Sequence, residues 1–179
     1  RTFKRRLSAK TAEEAKTAAE KDAAEKIKAG GVRFEDAYRS VREYSDAFPD
    51  KAVVYYAKSY PEMAWAALMA GGSCPAVNIA DETLLHDVAL MKPVRAEDGV
   101  YVMQGDDVGA LVYAGGSKEV SLNLPAGTYR LYRVDRKSGS AVAVDAKNGA
   151  ATSKPHTLQV AASPVTVSVS DIMWLQRIK

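Results

Sequence analysis

The chain carries one cysteine, two histidines and two tryptophans in 179 residues, and each scarcity closes a class of function. A lone Cys74 forms no intrachain disulfide and no cysteine metal site, and it leaves the redox compartment open. Neither His86 nor His156 has a Cys, His or carboxylate at a metal-ligand spacing, so no metal and no cofactor are expected. No run of about 18 apolar residues exists, which argues against a membrane span. The 25 basic and 22 acidic residues leave a net charge of +3. Outside Lys4, Arg5 and Arg6 the basic residues are scattered, and a nucleic-acid partner would want them clustered on a face. There is no GxSxG elbow. The nearest string, AGGSCPA, lacks its second glycine, so Ser73 and Cys74 do not read as nucleophiles. As a phosphate loop, AGGS lacks the GK[ST] ending and follows a helix instead of a strand, so it reads as a helix C-cap. The chain begins at Arg1, with neither an initiator Met nor the order of a signal peptide, and reads as a processed or truncated start.

What is present is an ordinary globular balance, 47% hydrophobic and 26% charged, enough for one domain or two small ones. TAEEAKTAAEKDAAEKIK, from Thr11 to Lys28, predicts a helix with a Thr11–Glu14 capping box, stopped by Gly30 and Gly31. Its stripe of Ala12, Ala15, Ala19, Ala23 and Ile27 suits a solvated surface helix. Phe34 to Phe48 repeats apolar residues at the helical period and should bury a face. Lys51 to Ala57 (KAVVYYA) reads as a strand buried on both sides. Ser59 then caps a third helix with Pro61 and Glu62 in its first turn, and MAWAALMA is apolar nearly all round. Cys74 to Ile79 reads as a further short strand. Asp81 caps a fourth helix with Leu84, Leu85, Val88, Leu90 and Met91 inward, ended by Pro93.

Beyond Pro93 the period changes from 3.6 to 2. Strands are expected near 99–104, 108–114, 119–124, 129–135, 141–144, 157–160, 165–170 and 172–178. Between them lie turn residues such as Gly115–Gly116, Pro125–Gly127 and Ser138–Gly139. The fold class is therefore α+β. Residues 1–94 form a helical or partial α/β segment, and residues 95–179 an antiparallel β-sandwich with Greek-key or jelly-roll connections.

Two kinds of chemistry are worth placing. Paired carboxylates could hydrolyse a glycosidic bond, and Glu62, Asp81 and Glu82 sit near strand ends. All three occupy helix first turns, where acidic residues favour the helix dipole. Tyr55, Tyr56, Tyr60 and Trp65 cluster in one segment, with Trp174 on the final strand, and such rings either stack on a sugar or fill a core.

KAVVYYAKSYPEMAWAALMAGGSCPAV, LLHDVALMKPV, DGVYVMQGDDVGALVYAGG, LPAGTYRLYRVDRKSG and the closing DIMWLQRIK together resemble the C-terminal part of bacterial TIM-barrel glycoside hydrolases. There the last barrel units lead into a small β-sandwich of the collagen-binding type. The resemblance runs from Asp50 to Lys179. It implies a secreted or periplasmic protein, a glycan partner, and contacts to that glycan from Tyr56, Lys58, Tyr60 and Asn78. In the family, the strand in the place of Lys51–Ala57 ends near a catalytic Glu. This sequence has Tyr55-Tyr56-Ala57-Lys58 there, so no catalytic residue carries over and the chain alone should be silent. A whole barrel takes about 250 residues and eight strands. Residues 1–94 hold two candidate strands, so either the remaining barrel comes from an N-terminal portion or another chain, or the helical part is a reduced relic packed on the sandwich. The alternative is an interaction or scaffold module without sugar affinity.

Overall fold

The computed structural model describes residues 33–56, 60–73, 76–145, 150–153, 155–161 and 163–178. The helix expected over Thr11 to Lys28, the Ser59 cap, Lys58 and Cys74 lie outside them. Among the described residues there are three helices: α1 (Phe34–Ala47), α2 (Pro61–Met69) and α3 (Glu82–Ala89). Seven strands follow: β1 (Lys92–Glu97), β2 (Val100–Gly105), β3 (Gly109–Leu122), β4 (Gly127–Val134), β5 (Ala141–Ala143), β6 (Thr157–Val160) and β7 (Val165–Ile178). They make an α+β fold with one antiparallel sheet in the order β1-β2-β3-β7-β4-β5, and β6 adds to β4.

The helices form where the apolar spacing requires. Ala37, Tyr38 and Val41 of α1 are buried, and Asp36 accepts the Arg33 N–H at 3.1 Å to hold its first turn. Every residue of α2 from Met63 on is buried, as its nearly uniform apolarity demands. Pro61 stands at its first position after Tyr60, one residue later than the expected cap. Asp81 caps α3 by accepting the Leu84 N–H at 2.9 Å. Leu84, Val88 and Met91 turn inward as expected, whereas Leu85 and Leu90 are exposed.

The stretches 52–56 and 76–80 belong to no strand, contrary to the two strands expected there. Val53 shows why. Its N–H donates to Ser73 Oγ at 3.0 Å, and its carbonyl accepts the Ser73 N–H at 2.8 Å. One residue in the loop after α2 satisfies the backbone without a ladder. The first strand of the sheet, β1, begins at Lys92, where only the end of a helix was expected.

Four of the expected strands merge into two. β3 runs through Gly115–Gly116, and β7 runs through Asp171, so the glycine pair is a bulge instead of a turn. Tyr113 faces Ile172 and Ser117 faces Ser170, so three residues of β3 oppose Asp171 alone. Side-chain parity is nevertheless kept. Val112, Ala114, Val120 and Leu122 of β3, with Val167, Val169, Met173 and Leu175 of β7, line one core together with Tyr129 and Leu131. That core draws on β2, β3, β4, β6 and β7. Its other face, Tyr101, Met103, Leu111, Tyr113 and Trp174, packs on the helices in a second core. Phe34 of α1 lies 4.0 Å from the Tyr113 ring centroid and 4.6 Å from that of Tyr101.

Candidate functional site

The junction between helices and sheet is organised by Arg136, in the turn that follows β4. Asp135 shapes that turn. Its Oδ1 accepts the N–H groups of Lys137 at 3.1 Å and Ser138 at 2.7 Å, and the Ser138 hydroxyl at 2.8 Å. The Ser138 backbone bond, then its hydroxyl, hold the Asp135 carboxyl below the usual carboxylate range. Gly139 closes the turn at φ +67°, and a Cβ there would come within 1.9 Å of the Asn78 carbonyl oxygen. Only glycine lets the turn settle against the 76–80 segment.

So held, Arg136 reaches both layers. Nη1 donates to Glu62 Oε1 in the first turn of α2 at 2.6 Å, and Nη2 pairs with Asp171 Oδ1 at the bulge. Its guanidinium lies 5.2 Å from the Tyr113 ring centroid, and its Nε has no acceptor. The Arg136 carbonyl accepts the indole N–H of the buried Trp65 at 2.8 Å. Asp171 takes φ +67° to aim at the guanidinium. Burial pushes the Tyr113 hydroxyl up to about 12, against the pull of Arg136.

Around this cluster opens a cleft of about 990 Å³. Tyr60 and Glu62 line it from the helical side, Gly116, Ser117, Ser170 and Asp171 from the β3–β7 bulge, and Arg136 and Lys137 from the turn after β4. The chemistry is that of a polar recognition surface: hydroxyls, an ammonium, the Glu62 and Asp171 carboxylates, each committing one oxygen to Arg136, and the Asp135 carboxylate, which holds its own turn.

Of the four residues expected to contact glycan, Tyr60 lines this cleft. Asn78 is exposed on the other side of the same turn, Tyr56 is exposed on the 52–56 segment, and Lys58 lies outside the described residues. Glu62 is an ion-pair partner, Asp81 a helix cap, and Glu82 an exposed first-turn residue. Trp65 and Trp174 are core residues, Trp174 stacking on Tyr132 at 4.8 Å. Tyr55 lines a separate apolar groove of about 480 Å³ with Tyr44, Phe48 and Val54. His86 is exposed, and His156 Nδ1 stands 3.4 Å from Asp145 Oδ2. Among the described residues no three His, Cys, Asp or Glu side chains gather into a metal-binding group, and no helix is long and apolar enough to cross a membrane.

Arg136, Lys137, Ser117, Ser170 and Asp171 were not singled out from the sequence. Two signals were available: the VDRKSG turn, which carries Arg136 and Lys137, and Asp171, the single residue between two expected strands.

Residues 4–91 match a family described as a domain of unknown function, DUF6298. No curated protein and no solved structure matches the chain. The matched span takes in α1, α2 and α3 and ends one residue before β1.

Proposed function

We propose that the chain is the C-terminal part of a bacterial, carbohydrate-active, glycoside-hydrolase-like protein. The helices belong to the last units of an α/β catalytic barrel, and the sheet is a β-sandwich of Greek-key or jelly-roll kind that supports it and contacts glycan. The observation that carries this reading is the outer face of the helical layer. Tyr44 is 61% exposed, Phe48 52%, Val54 64% and Tyr56 66%, beside an apolar groove. A layer is stable when its apolar surfaces meet another layer, and a contiguous exposed apolar patch marks an interaction surface. Further barrel units would supply that layer. The chain by itself is catalytically silent, since Glu62 is engaged by Arg136 and Asp81 by its helix. A polymeric substrate would place the protein in the periplasm or outside the cell.

Mass measurement of the native gene product tests this. A product larger than the present 19.3 kDa by about the 250 residues of a barrel is expected. A native product of 19.3 kDa would favour the second reading, a scaffold module whose apolar groove takes a protein partner. Turnover by the isolated chain on a polysaccharide panel, lost in a Glu62→Gln, Asp81→Asn double variant, would overturn the silence.

A further inference from the structure

We propose that the cleft between α2 and the β3–β7 bulge, and not the Tyr56 segment, is the glycan-contacting site, and that it takes neutral oligosaccharide. The proposal rests on the carbohydrate reading above and adds the place and the ligand class. At about 990 Å³ the cleft stands at the upper end of the volumes usual for small-molecule sites, roughly 300–1,000 Å³, with room for more than one sugar ring.

Gly116 is among its lining residues. It adopts φ +120°, and a Cβ built on it meets nothing within 4 Å, so no packing demand accounts for the open space above it. Glycine in a strand interior marks a bulge or a place where another group approaches closely, and here the bulge leaves that approach open. Its lining offers both donors and acceptors. The Lys137 ammonium and the Ser117 and Ser170 hydroxyls can donate, and the carboxylate oxygens of Glu62 and Asp171 not held by Arg136 can accept. Such a surface suits the paired hydroxyls of a sugar. Tyr60 supplies a half-buried ring against which a sugar's C–H face can lie.

Charge decides the class of sugar. Glu62, Asp135 and Asp171 line the cleft against Arg136 and Lys137, so acidic groups outnumber basic ones. A uronate or sulfated chain would meet net repulsion, and a neutral one would not. Tyr56 is 66% exposed, and its neighbours Val54 and Tyr55 line the apolar groove instead.

The test is titration calorimetry of the 179-residue chain with cello-, xylo- and manno-oligosaccharides and with oligogalacturonate, at neutral pH. Binding of at least one neutral series is expected, with oligogalacturonate weaker. Tyr60→Ala should weaken it about tenfold, the loss of roughly one aromatic contact. Ser117→Trp, at an exposed position that a folded chain accommodates, should abolish it. Tyr56→Ala should change it less than twofold. Tighter binding of oligogalacturonate than of any neutral series overturns the ligand class. Loss of binding on Tyr56→Ala with Tyr60→Ala and Ser117→Trp unaffected overturns the site while leaving the carbohydrate reading standing. If no oligosaccharide binds, the cleft proposal falls, and the native mass still decides the barrel reading separately.

Discussion

The sheet and the helical layer solve the same burial problem to different extents. The sheet is buried on both faces, with one core made of its own residues and another in which Tyr101, Tyr113 and Trp174 meet the helices. The helical layer is covered on one side only. Trp65 is 1% exposed against the sheet, whereas Tyr44, on the far side of the layer, is 61% exposed. Residues of equal apolarity therefore differ in what they contribute to stability. The inner aromatic holds the fold, and the outer one is available to something else.

The largest effect that would break this contrast lies at Trp65. Its indole is buried and also donates to the Arg136 carbonyl, so Trp65→Ala removes packing and leaves a partly buried carbonyl without its donor. A loss of about 3–5 kcal/mol in urea unfolding is expected. A loss below about 1 kcal/mol would mean that the inner face matters no more than an exposed surface position.

Arg136→Met comes next. It keeps the aliphatic stem but frees Glu62 and Asp171 and removes the cation above Tyr113. The partners are partly exposed, and each such pair contributes about 1 kcal/mol or less, as does the cation–π contact. The expected cost is about 1–3 kcal/mol, shrinking as salt is added. A salt-independent cost would point to packing of the stem as the cause.

The elements at these junctions were legible to different degrees, for physical reasons. The inner stripe of α1 is written in the spacing of Phe34, Ala37, Tyr38 and Val41, because helical periodicity is a local property. Strand identity is not. Val53 and Val54 favour extended backbone, yet a strand needs a neighbour, and here Ser73 alone takes the Val53 backbone. Gly115–Gly116 carries turn chemistry, and the same freedom serves a bulge when β7 continues opposite it. The cleft was the least legible feature. Its parts lie at 60–63, 116–117, 135–137 and 170–171, and only the placement of β7 between β3 and β4 brings them together.

A smaller and pH-dependent effect belongs to Asp87. Among the described residues it is the buried charged side chain, 6% exposed on α3. Burial raises its carboxyl above the usual range; His86 and the Trp174 indole, whose Nε1 has no acceptor at hydrogen-bond geometry, pull it back, and Asp81 adds to the rise. Between the ordinary and the raised value the folded state keeps a proton that the unfolded state has lost. Stability therefore falls as pH rises through that window and returns on acidification. Melting temperatures of wild type and Asp87→Asn, taken from about pH 7 to about pH 4, should converge as the pH falls, with the variant at least as stable at neutrality. A wild type that instead lost ground to the variant on acidification would assign Asp87 a stabilising ion pair.

The smallest stability change is expected on the outer face, and it is the sharpest test of the asymmetry. Tyr44 and Phe48 stack on each other with ring centroids 6.3 Å apart while both stay more than half exposed. Their area is already in water, so replacing both by serine removes little that folding had buried, and unfolding free energy should move by no more than about 0.5 kcal/mol. Association should respond more strongly. Sedimentation at increasing concentration should show wild type self-associating through its apolar face and the Tyr44→Ser, Phe48→Ser variant remaining monomeric. If the double variant instead loses several kcal/mol, these rings are part of the fold's own core, and the helical layer has no free face for another unit to cover.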